Sequence, residues 1–114
     1  MPQDPFTSGI SRHIWDLKYR YRPPGGDAEP EVTATWRRVA RAVASVETEP
    51  ARWTERFYEI LADFRFLPGG RIQAGAGTGR RVTLFNCFVM GVIEDSLDGI
   101  FDALKEGALT LQQG

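Results

Sequence analysis

Val32, Trp36, Val39, Val43 and Val46 recur at spacings of four, three, four and three. On a helix of about 3.6 residues per turn that is one continuous apolar stripe, which must be buried against something. A second stripe, Trp53, Phe57, Ile60, Leu61 and Phe64, starts just after Glu47-Thr48-Glu49-Pro50. That tetrapeptide offers a threonine able to cap, carboxylates for the positive end of a helix and a proline that a first turn tolerates. The pattern predicts two antiparallel amphipathic helices joined by a tight turn. Arg37, Arg38 and Arg41 fall off the first stripe and predict a solvated basic face, as Glu55, Arg56, Glu59 and Asp63 predict a solvated face for the second.

The flanks divide the chain further. Residues 1–9, with two prolines and a glycine, predict a loose N-terminal arm. The helical domain is expected over 10–66. From Ser11 to Arg22 the sequence is aromatic and basic, predicting a short helix or extended segment docked on the rest; Pro23-Pro24-Gly25-Gly26 ends it. His13 reads as a surface or packing histidine. Composition changes at Leu67-Pro68-Gly69-Gly70, where a third region, 67–114, opens with a glycine-rich stretch holding Arg71, Arg80 and Arg81 and no acidic residue. Val82 to Met90 is β-branched, aromatic and nearly continuously apolar, which predicts a strand buried on both faces. Asp95-Ser96-Leu97-Asp98 reads as a cap, and Leu97, Ile100, Phe101, Leu104, Ala108 and Leu111 continue one helical stripe predicted to pack on that strand. The fold class is therefore mainly α with a small α/β portion. A single strand cannot satisfy its backbone groups alone, so the expectation is a piece of a larger fold. A helix that finishes at Gln112-Gln113-Gly114 agrees with this.

Charge and sulfur content exclude several functions. Lys and Arg total 14 against 15 Asp and Glu, a net charge of -1, which argues against a dedicated nucleic-acid binder. One cysteine excludes an internal disulfide framework, and one histidine beside it leaves no ligand set for a structural metal site. With neither a signal peptide nor a membrane-spanning run, the expectation is a soluble cytoplasmic protein with no membrane partner.

Three features could carry chemistry. Gly75-Ala76-Gly77-Thr78-Gly79 lacks the spacing and the preceding strand of a dinucleotide or Walker loop. It reads either as a solvated connector or as a flexible loop whose amides and arginines meet phosphate. Cys87, inside the apolar run, fits a small core residue better than a nucleophile on local grounds alone. Asn86 needs partners if buried, and neighbours in a strand face opposite layers, so the two cannot share one. Asp95 and Ser96 are first of all a helix cap.

Three ordered segments narrow the choice. Phe66-Leu67-Pro68-Gly69-Gly70-Arg71-Ile72-Gln73-Ala74-Gly75-Ala76-Gly77-Thr78, then Val82 to Val89, then Asp95-Ser96-Leu97-Asp98-Gly99-Ile100-Phe101 closely resemble the adenosylcobalamin-dependent ribonucleotide reductases. Trp36-Arg37-Arg38-Val39-Ala40 and Ser11-Arg12-His13-Ile14-Trp15 are similar to that family's N-terminus. The resemblance implies the N-terminal all-α domain of such a reductase, followed by the first strand and helix of its α/β barrel. It implies an activity that reduces ribonucleoside diphosphates to deoxyribonucleotides by radical chemistry, using adenosylcobalamin and redox thiols. Carried onto this chain, it makes Cys87 one of the reducing thiols. Gly70, Asn86 and Cys87 become substrate-lining residues, with only the backbone amide of Gly70 available where many relatives have a hydroxyl residue. Asp95 and Ser96 fall where relatives contact a deoxynucleotide effector. Implied partners are the substrate, deoxynucleotide or ATP effectors and a thioredoxin-type reductant, with a homodimer among the allowed assemblies. The radical cysteine, the pairing cysteine and the cobalamin-binding groups of the family have no counterpart here, so the piece alone is expected to be inactive. The competing readings are a stand-alone helical module that binds nucleotide or phosphate, and a regulatory remnant that associates with a complete reductase.

Overall fold

The structure, a computed structural model, describes residues 4–114. Among these residues there are five α-helices and no strand: α1 (Gly9–Ile14), α2 (Val32–Ala44), α3 (Pro50–Leu61), α4 (Gly70–Gly75) and α5 (Leu97–Gln113). A π-helical turn, Trp15–Tyr19, extends α1, and a 3-10 turn, Ala62–Phe64, follows α3.

α2 and α3 form the expected hairpin. Val32, Trp36 and Val39 are buried as their spacing predicts, but Val46 is 87% exposed and Val43 half exposed. The helix ends at Ala44, which leaves Val46 in the turn, and the core is completed instead by Thr35, Ala40 and Ala44. Small side chains at the last two positions let neighbouring backbone approach closely. Pro50 is the first residue of α3 and Glu49 its cap position, with no capping side-chain bond, so Thr48 does not take the predicted role. Across the hairpin Arg37 pairs with Glu55 at 2.6 Å and lies 3.8 Å from the Tyr58 ring centre. The Glu55 carboxylate holds the Arg37 guanidinium proton more tightly than usual.

Past α3 the chain turns sharply. Asp63 and Phe64 both have left-handed backbone, φ 55° and 56°, a conformation that costs an L-residue about 1–2 kcal/mol. The bend sets the Phe64 ring edge-on to Trp36 at 5.1 Å and against Phe6 at 5.4 Å. Phe6 also meets Trp15 at 5.7 Å, and Ser8 caps α1 by accepting the Ser11 N–H. Phe6 is thus part of an aromatic cluster, Asp4 and Thr7 to Gly9 are exposed, and Met1–Gln3 of the expected arm lie outside the described residues.

Arg38 departs most from the sequence reading. Its side chain is only 10% exposed, in place of the solvated position predicted for it. Nε donates to Glu29 Oε1 at 2.6 Å, Nη1 to the Ala76 carbonyl at 2.6 Å, and Nη2 to the carbonyls of Gln73 at 2.9 Å and Tyr19 at 3.1 Å. Gln73 and Ala76 flank the end of α4, so a guanidinium from α2 serves the carbonyls that a helix leaves unpaired at its negative end. The other Glu29 oxygen accepts the Thr35 hydroxyl and the Tyr21 N–H, and Thr35 in turn accepts the Trp15 indole N–H at 2.9 Å. Gly77 allows the approach: its φ is +72°, and a Cβ there would stand 3.0 Å from Arg38 Cγ and 3.2 Å from Ala42 Cβ.

Residues 82–94 do not form the predicted buried strand. Apart from half-buried Thr83 the segment is exposed and unladdered, because no second extended segment lies beside it to pair its backbone. α5 forms where predicted, but the face it turns to this segment is not the predicted stripe. Thr83 N–H donates to the Gln113 carbonyl, the Thr110 hydroxyl approaches Met90 sulfur at 3.9 Å, and Gly99, Asp102, Ala103 and Glu106 line a cleft with Met90 to Glu94. Leu97, Leu104 and Leu111 are 75%, 65% and 84% exposed. Small residues at 99 and 103 let the segment lie close to the helix, a Cβ at Gly99 standing 2.7 Å from the Glu94 carbonyl oxygen, and the larger apolar side chains are exposed.

Two outcomes test these interactions. Arg38→Met should destabilise the fold by about 3–5 kcal/mol, the cost of breaking one side of a buried ion pair. The double variant with Glu29→Gln should lose clearly less than the sum of the single losses in urea unfolding. Asp16 accepts Arg20 Nη1 and Arg22 Nη2, both at 2.8 Å, and chiefly the Arg20 hydrogen bond holds its carboxyl below the ordinary 3.8. A lowered folded-state pKa adds stability that is present above the unfolded value and lost as pH falls through the folded one. The Asp16 carboxyl should therefore titrate by NMR with a midpoint below 3.8, and Arg20→Gln should move that midpoint upward.

Candidate functional site

α4 is a six-residue helix, about 9 Å long at about 1.5 Å per residue. Arg38 fixes its C-terminal end, as described above. At its other end Gly70 lies under the Tyr19 ring, where a Cβ would stand 3.1 Å from the Tyr19 hydroxyl oxygen and 3.4 Å from Cε1. The Tyr19 carbonyl is itself an Arg38 acceptor, so one guanidinium ties down both the helix and the residue that abuts it. Gln73 Nε2 donates to the Pro68 carbonyl at 2.8 Å, closing the Leu67-Pro68-Gly69 turn that leads into α4. Arg71 is exposed and has no carboxylate partner among the described residues.

The glycine-rich loop is partly built into the helical body. Ala76 and Thr78 are buried, the Tyr21 hydroxyl donates to the Thr78 carbonyl at 2.9 Å, and the Thr78 hydroxyl donates to the Gly75 carbonyl at 2.8 Å. Arg80 lies over the Tyr21 ring at 5.5 Å, and Arg38 is 5.6 Å from the same ring. Val82 and Leu84 then cross the end of α4, with methyls 3.0 and 3.2 Å from where a Gly75 Cβ would be.

The sequence-derived residues therefore occupy distinct places. Gly70 is the start of α4. Asn86 and Cys87 are exposed on the unpaired segment, and Cys87 is a free thiol rather than a core residue. Ser96 caps α5 by accepting the Gly99 N–H at 3.0 Å, while Asp95 beside it is exposed. Tyr19, Glu29 and Arg38 were not anticipated as site-positioning residues.

Two clefts adjoin this region. One, of about 400 Å³, runs between α2, α3 and α4 and is lined by Val39, Val43, Phe57, Ile60, Phe66 and Ile72. The other, of about 620 Å³, lies between the N-terminal segment and α4, with Phe6, Trp15 and Phe64 as aromatic wall and Tyr19 and Gln73 on its polar side. No cluster of three His, Cys, Asp or Glu side chains is placed to hold a metal ion among the described residues, and no helix there is long and apolar enough to cross a membrane.

The helical hairpin, the buried arginine and the short helix α4 all lie within one stretch that matches a known enzyme family. Residues 6–81 match the family model described as ribonucleotide reductase, all-alpha domain, and the chain belongs to that family. It is 42% identical over 76 residues to the vitamin B12-dependent ribonucleoside-diphosphate reductase of Mycobacterium tuberculosis, covering 62% of this chain and 11% of that protein. It is 34% identical over 76 residues to the ribonucleoside-diphosphate reductase subunit alpha of Helicobacter pylori, covering 67% and 9%. Against the corresponding subunit of Chlamydia trachomatis the identity is 28% over 74 residues, covering 65% and 7%. The chain spans about a tenth of the length of the curated relatives it matches. No solved structure matches it.

Because Cys87 is exposed, native-state alkylation with iodoacetamide should proceed within a few-fold of its rate in the urea-unfolded chain. Mass spectrometry of quenched samples reads both rates. Protection by orders of magnitude would mean that the thiol is covered in solution.

Proposed function

We propose that this chain supplies the N-terminal helical part, over 10–66, and the following region, 67–114, of an adenosylcobalamin-dependent ribonucleoside-diphosphate reductase. The observation that carries the proposal is the 42% identity to a relative named for vitamin B12 dependence. In this reading the substrate is a ribonucleoside diphosphate. Cys87 is a redox thiol of the pair that reduces the sugar: the ribose 2'-hydroxyl leaves as water, two thiols become one disulfide, and their two electrons replace the C–O bond with C–H. The chain contains one cysteine, so the partner sulfur comes from elsewhere. A thioredoxin-type reductant would return the disulfide to thiols. Gly70 and Asn86 line the substrate, Gly70 by its backbone amide toward the phosphate end. Asp95 and Ser96 contact the deoxynucleotide or ATP effector, the exposed Asp95 carboxylate accepting from a sugar hydroxyl and Ser96 setting the start of α5.

Adenosylcobalamin supplies the radical chemistry of such an enzyme. The residues present do not fit it: His13 is exposed on α1, and the two clefts described above are open and lined mainly by apolar side chains. No cobalamin contact is therefore assigned to this chain.

A chimera tests the proposal. Replacing the matching N-terminal part of the Mycobacterium tuberculosis relative by residues 4–114 should retain ribonucleoside-diphosphate reduction with adenosylcobalamin and a dithiol. Cys87→Ser in that chimera should then lower multiple-turnover reduction by at least about 10³-fold while nucleotide binding persists, the pattern of a lost covalent participant. Near-normal turnover by the serine variant would sink the redox role of Cys87, and an inactive but folded parent chimera would sink the reductase assignment.

A further inference from the structure

We propose that the cleft between the N-terminal segment and α4 is a binding site for a small organic cation, an alkylated ammonium of the size of choline. Four aromatic side chains, Phe6, Trp15, Tyr19 and Phe64, border its space of about 620 Å³ together with Asp63, and no lysine or arginine is among the described residues that line it. Phe6 lies 5.7 Å from Trp15 and 5.4 Å from Phe64 between ring centres, with the planes tilted by 39° and 52°, so the rings form a curved wall rather than a flat stack. Ring faces carry partial negative charge. Several of them around one space, with a carboxylate at its edge, suit a cation whose charge is spread over methyl groups. The inference is independent of the reductase reading, since Gly70, Asn86, Cys87, Asp95 and Ser96 do not line this cleft.

The same rings already attract cations from outside the cleft. The Arg12 guanidinium lies 5.4 Å from the centre of Phe6 and that of Arg20 5.3 Å from the centre of Trp15, yet neither arginine lines the cleft. Both are committed elsewhere, Arg12 to the Asp4 carboxylate and Arg20 to Asp16 and the Glu29 carbonyl. The cleft therefore has attractive walls and no positive charge of its own. Asp63 is weakly matched: its one ion pair among the described residues, with Arg65, is long at 3.9 Å and largely exposed. Asp63 and Phe64 are also the two non-glycine residues with left-handed backbone among those described, and that costly bend sets a carboxylate and a ring side by side on the cleft wall.

NMR titration of the whole chain with choline, against the neutral alcohol in which a carbon atom replaces the choline nitrogen, tests the inference. The two probes share shape and hydroxyl and differ in charge. Choline should shift the ring resonances of Trp15 and Phe64 saturably and bind about fivefold or more tightly than the alcohol, as expected for a cation over aromatic faces. Asp63→Asn keeps the side-chain size, and asparagine is among the residues that best tolerate left-handed backbone. That variant should lose about two- to fivefold in choline affinity, the worth of one partly exposed charge, with the alcohol unaffected. Equal binding of the two probes would reduce the cleft to an apolar hollow and overturn the proposal. Shifts at Trp53, on α3 outside the cleft, as large as those at Trp15 would show non-specific association and overturn it too. Unsaturable shifts with choline, or unchanged choline affinity in Asp63→Asn, would likewise defeat the reading of this cleft as a cation site.

Discussion

The Glu29–Arg38 ion pair is the interaction on which the other contacts depend. Two charged side chains, each about nine-tenths buried, would be costly if either lacked a partner. Here four of the five guanidinium N–H groups and both carboxylate oxygens are used. The guanidinium serves one carboxylate oxygen and three carbonyls, and the carboxylate serves a guanidinium, a hydroxyl and a backbone amide. The pair reaches from the loop before α2 to the end of α4 and back to the π-helical turn. A hydrophobic hairpin of this size would hold α2 to α3 but would not by itself orient the six-residue α4. The buried charges supply that orientation, since carbonyl acceptors demand direction where apolar contacts do not.

The hairpin was legible because apolar periodicity reports burial directly: Val32, Trp36 and Val39 lie where their spacing puts them. Arg38 was not, because a charged residue off the stripe normally faces water. The clue lay in residues that a hydrophobic pattern ignores. Thr35 and Ala42 lie three and four residues from Arg38 on one helix flank, and a buried threonine beside a small alanine leaves room for a long side chain to run between them. Glu29 gave less warning still, since it follows a Pro-Gly turn whose path no local pattern fixes.

The region after Thr78 shows the opposite failure. Val82 to Met90 has the composition of a buried strand, and its composition reports an environment rather than a conformation that the segment adopts alone. Without a neighbouring strand the segment forms no ladder, and Asn86 and Cys87 become surface groups. The cap at Ser96 was legible because it needs only its own first turn: the hydroxyl and the Gly99 N–H are three residues apart. The inward face of α5 was not, since choosing between two faces of one helix takes a partner surface. Family resemblance reached the domain type but could not indicate that Tyr19, distant in sequence, would occupy the place of a side chain at 70.

The positions of the three tryptophans give the chain a built-in optical record of its assembly. Trp36 sits in the hairpin core, Trp53 is half-buried on α3, and Trp15 is buried with its indole N–H held by Thr35, one step from the Glu29–Arg38 pair. An indole that is dry and hydrogen-bonded emits at shorter wavelength than one in water. Detachment of the N-terminal segment would hydrate Trp15 while leaving Trp53 as it was. Single-tryptophan versions of the chain would therefore separate, by emission colour alone, the docking of the N-terminal arm from the closing of the hairpin beneath it.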